Sequence, residues 1–256
     1  MLLIDQYAYH NRFSDIHAFD KVTFSLFMLL FSLFARDMKV SFTVFLISSI
    51  MILLARIPIK YYIKLLVLPI TFILLGLIPL MVNFSLNAIP GSEIIFDISM
   101  GKLFIYVDMS SVRAAFQLFM VSIGSISCLY LLILTTPLVE ILYLLKKWRI
   151  SPLFIEMIAI TYRFLFTLIE TAAEIYHSQS SRLGYTSFRT GLTSLGYLTT
   201  ALFLKSFQKA AKLHQAVESR GGYGEFIGSE REYSLSLLNL GVFMIVLLLL
   251  VLLFTF

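Results

Sequence analysis

The sequence is poor in charge and cysteine, and each shortage excludes something. The one cysteine, Cys128, lies inside an apolar run, so neither a disulfide framework nor a cysteine-built metal centre is available. Charged residues make up 14% of the chain against 59% hydrophobic, outside the range of soluble globular domains. The four histidines, His10, His17, His177 and His214, share no ligand-like spacing, and no metal site is expected from them. No Ser-His-Asp set, HExxH motif, phosphate loop or pair of intramembrane carboxylates appears, which argues against an enzyme. It argues equally against an ion-coupled secondary transporter. Residues 1–21 carry Asp5, Arg12, Asp15, Asp20 and Lys21 before any long apolar run, the reverse of a secretory signal.

What the chain has is apolar length. Its mean hydropathy is +0.90, and several runs approach the roughly 20 residues needed to cross a bilayer as a helix. The expected fold is an all-α polytopic membrane protein with about five transmembrane helices and long amphipathic helices on the cytoplasmic side. The spans are placed at 22–34, 40–55, 65–82, 112–134 and 235–256. The first two are short, with Lys21 and Arg56 placed to snorkel towards headgroups. The third contains Pro69, Gly76 and Pro79 and is expected to be kinked or broken. The fourth carries Ser122, Gly124, Ser125 and Ser127, small residues that permit close helix packing in lipid. Residues 83–111 read as a polar, turn-rich connection.

Loop charge sets the expected orientation. Residues 55–64 hold Arg56, Lys60 and Lys64 with no acid, whereas 83–111 hold Lys102 against Glu93, Asp97 and Asp108. Residues 135–234 hold eleven lysines and arginines. The positive-inside rule then places the N-terminus and 135–234 in the cytoplasm and 83–111 outside. The net charge of +5 reads as basic cytoplasmic loops rather than as a nucleic-acid surface. Three regions follow: a membrane region at 1–134, cytoplasmic-side helices at 135–234, and a final span at 235–256.

Residues 135–234 are too long and too apolar for a disordered loop. A short helix at 138–147 is followed by Ser151-Pro152, a cap and first-turn proline. Glu156, Arg163, Glu170, Glu174 and His177 fall on one face of a helix of about 30 residues, expected to stop at Gly184 and to hold an ion network around Arg163. A second helix, expected from Leu192, carries Lys205, Lys209 and Lys212 on one face and stops at Gly221-Gly222. Such amphipathic helices lie in or under the inner leaflet, against lipid, with polar faces towards water or a partner.

Each helix ends in a version of the same short element. Residues 181–185 read Ser-Arg-Leu-Gly-Tyr, and thirty-eight residues later 219–223 read Ser-Arg-Gly-Gly-Tyr. Arginine in the last turn followed by a glycine at C′ that supplies the left-handed conformation is an ordinary helix stop. Two copies at matching offsets also suit a repeated partner, to which each arginine would present its planar donor fork.

These residues resemble the transmembrane T component (EcfT-like) of energy-coupling factor transporters, most closely the cobalt-type CbiQ branch. The likeness covers nearly the whole length. It includes Ile4-Asp5-Gln6-Tyr7-Ala8, Asn11-Arg12, His17 and Lys21, then Thr135-Thr136-Pro137-Leu138 and Tyr162-Arg163-Phe164. It ends with 179–185 and 218–221. The resemblance implies that Ser181, Arg182, Leu183 and Gly184 form one ATPase-docking site and Ser219, Arg220 and Gly221 the other. The implied partners are two ABC-type ATPase subunits and a separate substrate-binding (S) membrane subunit. ATP would be used by the ATPases, with no cofactor bound by this chain. Serine replaces the family's usual alanine in both copies, and Leu183 stands where many relatives have glycine. Cobalt is the implied cargo, with nickel or a vitamin as variants. A conventional transporter or channel carrying solute through its own spans is the alternative.

Overall fold

The computed structural model describes residues 3–14, 16–85, 94–100, 103–219 and 221. In chain order these form α1 (Leu3–Tyr9), α2 (Ala18–Ala35), α3 (Met38–Leu54), α4 (Ile59–Met81), β1 (Asn83–Ser85), β2 (Ile94–Met100), β3 (Leu103–Asp108), α5 (Met109–Thr135), α6 (Leu138–Lys147), α7 (Pro152–Ser181) and α8 (Phe188–Ser219). The protein is a predominantly helical polytopic membrane protein, as its composition requires. The described residues fall into two units that part between Ile141 and Leu142.

Four helices, α2, α4, α5 and α7, are long and apolar enough to cross a membrane. The 17 residues of α3 are apolar but shorter. Thus α7, which the sequence pattern lays along a leaflet, also meets the length and hydropathy of a span, because only Glu156 and Arg163 interrupt its first eighteen residues. The expected span at 235–256 lies outside the described residues.

The first unit packs α2, α3 and α4 around α5. Its core is built from Met28, Val40, Val44, Ile52, Leu66, Cys128, Leu131 and Leu134, with small polar residues where helices approach most closely. Ser32, Ser41, Ser48 and Ser127 are fully buried. A Cβ at Gly124 would lie 2.8 Å from the Ser41 carbonyl oxygen, so only glycine lets α5 sit this close to α3. Ser32 donates to Ser41 at 3.3 Å, Ser48 and the Cys128 thiol share a hydrogen bond at 3.3 Å, and the Tyr62 phenol meets Ser127 at 2.7 Å. Without a hydrophobic drive between helices in lipid, small-residue packing and such bonds hold them together.

Three expectations change here. Helix α4 is not broken. It runs through Pro69 and Pro79 as one element, and the Leu65 carbonyl, which Pro69 leaves without its helical donor, accepts instead from the Tyr130 hydroxyl of α5 at 2.9 Å. The connection at 83–111 is not all loop. It contains a three-stranded antiparallel sheet in the order β1-β3-β2, with Met100 opposite Leu103 and a register irregularity between Ile94 and Phe96. The sequence signal was the run of aromatic and β-branched residues 104–107, which suits a pleated surface. Finally, α8 begins at Phe188, not Leu192.

The start of the chain closes the end of α5. Pro137 stops α5 from continuing into α6, leaving carbonyls at Leu134 and Thr135 in need of donors. Asn11 supplies its amide nitrogen to Leu134 and Thr135 at 3.4 and 3.3 Å. Lys21 donates to the Thr135 and Phe13 carbonyls at 3.2 and 3.3 Å and to Glu140 Oε2 at 2.9 Å. A cation at the negative end of α5 and a carboxylate in the first turn of α6 also suit the two helix dipoles. Desolvation first, and then Asp5 and Glu140, push the nearby Tyr9 phenol above its ordinary value.

Candidate functional site

The long helices α7 and α8 meet at a short corner, residues 182–187. Helix α7 starts at Pro152 behind Ser151, whose side chain makes no cap bond. Its other end is a Schellman closure. Gly184 N–H donates to the Gln179 carbonyl at 2.9 Å and Leu183 N–H to the Ser180 carbonyl at 3.0 Å, the paired bonds that satisfy a helix's last acceptors. Arg182 is therefore the C-cap itself, with φ −95° and ψ 18°, not a residue of the last turn.

The left-handed residue is Leu183, at φ +60°, and not glycine as the sequence pattern implies. A side chain in this conformation costs roughly 1–2 kcal/mol. The glycine is needed one residue later for a different reason: a Cβ at Gly184 would lie 2.7 Å from Ser194 Oγ and 2.9 Å from the Gln179 carbonyl oxygen. Packing, not dihedral freedom, fixes Gly184.

A hydrogen-bond web makes the corner rigid. Gln179 donates to the Ser194 carbonyl at 3.0 Å and accepts from the Tyr185 hydroxyl at 2.8 Å, while Ser194 donates to the Gly184 carbonyl at 2.8 Å. The Tyr185 ring lies 4.7 Å from that of Tyr176. On the α8 side, Ser187 and Thr190 cap each other reciprocally: Thr190 N–H donates to Ser187 Oγ at 3.3 Å, and Ser187 N–H donates to Thr190 Oγ1 at 3.1 Å. This capping box starts α8 a turn before the apolar pattern does. Presented outwards are Ser181, Arg182, Leu183 and Phe188, the leucine 71% and the phenylalanine 88% exposed. Among the described residues the Arg182 guanidinium makes no hydrogen bond or ion pair.

The second copy repeats this backbone as far as it is described. Helix α8 ends at Ser219, Gly221 has φ +92°, and its N–H donates to the Glu218 carbonyl at 3.1 Å. Leu183 and Gly221 thus occupy the same place in the two elements, each with positive φ and each bonded three residues back. Arg220 lies outside the described residues.

The helix faces differ from expectation. Arg163 makes no ion network with Glu156, Glu170 or Glu174 among the described residues. It lines a small apolar hollow with Ile160, Phe164 and Leu213. Glu170 and Glu174 instead share a cleft of about 330 Å³ with Lys205, Lys209 and Lys212 of α8, and Lys209 donates to Thr171 Oγ1 at 3.1 Å. The row of acids and the row of lysines are the two walls of one polar seam between α7 and α8. His214 stays on the surface, 3.4 Å from Glu218.

A helical membrane bundle followed by two long helices, α7 and α8, defines a multi-pass membrane protein. Residues 13–233 match the family model described as CbiQ, cobalt transport protein, and the chain belongs to that family. It is 29% identical over 219 residues to an uncharacterised protein, MJ1089, of Methanocaldococcus jannaschii, covering 85% of this chain and 80% of the relative. It is 26% identical over 223 residues to the cobalt transport protein CbiQ of Salmonella typhimurium, covering 87% and 98%. The CbiQ of Rhodobacter capsulatus is 35% identical over 91 residues, 36% of this chain and 37% of that protein. The chain is therefore a multi-pass membrane component of a cobalt transport family.

Proposed function

We propose that this chain is the non-catalytic energy-coupling subunit of an energy-coupling factor importer, with cobalt as cargo. It takes up the motion of two ABC-type ATPases and passes it to a separate substrate-binding membrane subunit. In this reading 135–234 lie on the cytoplasmic side of a cell membrane, between the membrane region 1–134 and a final span at 235–256, with the N-terminus cytoplasmic. Ser181, Arg182, Leu183 and Gly184 dock into one ATPase, and Ser219, Arg220 and Gly221 into the other. ATP is bound and hydrolysed by the partners. The chain itself carries no phosphate loop.

One observation carries the reading: the two short elements share a sequence, and the residues at one matching place in them, Leu183 and Gly221, share a positive φ. Leu183 at φ +60° and Gly221 at φ +92° make the same bond back into their helices. A repeated element with a positive-φ residue at the same place suits a repeated partner. Closure and opening of the ATPase pair on nucleotide would then move two rigid helix ends, and packed helices would carry that shift onward.

The test is co-purification in detergent with the candidate ATPase pair, wild type against Arg182→Ala/Arg220→Ala. Truncating a buried, charge-paired interface arginine costs about 2–5 kcal/mol, so the double variant is expected to lose the ATPases while keeping its helical circular dichroism. Unchanged binding would reduce both arginines to helix caps and overturn the proposed docking sites.

A further inference from the structure

The cluster that closes α5 is not used by the docking corner, yet it sits where the chain leaves its first unit. Lys21 is 8% exposed and Asn11 6%. A buried ammonium is costly unless its donors are all satisfied, and here three acceptors surround it: the Phe13 carbonyl, the Thr135 carbonyl and Glu140 Oε2. These belong to three separate pieces of chain, namely the N-terminal segment, the last residue of α5 and the first turn of α6. Glu140 is itself largely buried, its side chain 16% exposed. Between α5 and α6 there is only Thr136-Pro137: Thr136 N–H still donates to the Leu132 carbonyl at 3.0 Å and the Pro137 carbonyl accepts from Glu140 N–H at 3.0 Å, but Pro137 has no N–H to carry the α5 ladder on into α6. Asn11 adds a second clamp, on the Leu134 and Thr135 carbonyls, and holds itself in place by donating to the Ala8 carbonyl at 2.7 Å and accepting from Phe13 N–H at 2.8 Å.

We propose that Lys21, through its contacts with the Thr135 carbonyl and Glu140, is a positioning residue that locks the α5–α6 corner and makes it the joint through which force passes between the membrane helices and the chain from α6 onward. This rests on the coupling function proposed above. A stiff helix pair can transmit displacement only if its connection to the bundle is stiff as well. A proline break is stiff only when something outside the two helices fixes it. Lys21 supplies that fixing from more than one hundred residues away in sequence, with a charge that holds both helix ends at once. Its role is mechanical and touches neither nucleotide nor cargo.

The test uses the assembled transporter in vesicles, reading Co²⁺ uptake and ATP hydrolysis together. Three chains are compared with wild type: Lys21→Met, Glu140→Gln, and Lys21→Met/Glu140→Leu. The double variant replaces the ion pair by apolar groups of similar volume, a change that buried pairs often tolerate without loss of folding. Glu140→Gln leaves the carbonyl contacts of Lys21 in place and serves if the other two fail to assemble. The expected result is ATPases still bound and ATP still hydrolysed, with uptake per ATP reduced about tenfold in both Lys21 variants and less in Glu140→Gln, within the range of coupling free energies between sites. Amide hydrogen exchange should quicken at residues 138–142 while the α3 core stays protected, which separates a loosened joint from a destabilised bundle. Should the double variant fold, bind ATPases and import Co²⁺ with the wild-type ratio, the cluster is only a structural cap and the proposal is overturned. If Glu140→Gln is the one variant that assembles, an unchanged ratio together with unchanged exchange at 138–142 overturns it. Failure of the wild-type chain to bind ATPases at all would instead overturn the coupling reading on which it stands.

Discussion

The Tyr130 hydroxyl of α5 donates to the Leu65 carbonyl of α4 at 2.9 Å, supplying the hydrogen bond that Pro69 cannot. One phenol thereby keeps α4 continuous through its proline and ties it to the central helix of the bundle. An unsatisfied carbonyl within a membrane costs several kcal/mol, so the proline and the tyrosine belong together.

Tyr130→Phe is expected to lower stability by about 1–3 kcal/mol, the cost of leaving the Leu65 carbonyl without a donor. In a Pro69→Ala background the loss should nearly vanish, because the backbone N–H regained at position 69 can serve the Leu65 carbonyl itself. Thermal or denaturant unfolding in detergent of the four chains of this cycle measures the coupling. Equal losses in both backgrounds would mean that the phenol acts independently of the proline.

Gly124→Ala should destabilise the first unit by about 1–3 kcal/mol, the range for overpacking a filled core, since its methyl would meet the Ser41 carbonyl oxygen at 2.8 Å. Gly76→Ala, whose Cβ would meet nothing within 4 Å, should be neutral or stabilising by up to about 1 kcal/mol through helix propensity. The comparison of the two melting temperatures is the measurement.

The two middle residues of the α7–α8 corner should respond in opposite directions. Leu183→Gly relieves a leucine held at φ +60° and should stabilise the chain by about 1 kcal/mol. Gly184→Ala should destabilise it by about 1–3 kcal/mol, because the space is taken by Ser194 and the Gln179 carbonyl. Unfolding midpoints read both. A stabilised Leu183→Gly that binds the ATPases less well would mean that the strained leucine is kept for its side chain.

The helices were legible because apolar run length reports membrane helices directly, and α2 to α5 fall on the runs at 22–34, 40–55, 65–82 and 112–134. Their ends were less so. The pattern begins α8 at Leu192, but Ser187 and Thr190 start it at Phe188 by bonding to each other, a signal hidden in residues that carry no periodicity. The paired strands 94–100 and 103–108 were hidden because they lie in a connection rich in turn residues. At the corner, the order Arg-Leu-Gly suggested a glycine-supplied left-handed turn. The backbone puts that conformation on the residue before the glycine, because Gly184 is wanted for its missing Cβ.

By itself the sequence determined the membrane class, the spans that form α2 to α5, the doubled Ser-Arg string and the family likeness, all of which depend on local composition or on short strings. Only the tertiary structure decided what depends on distant residues meeting. It brought Asn11 and Lys21 to the Thr135–Glu140 break, Tyr130 to the carbonyl freed by Pro69, and the acids of α7 to the lysines of α8. A hydrogen bond acts over about 3 Å, and no periodicity records which residue, more than a hundred positions away, will be found within that reach.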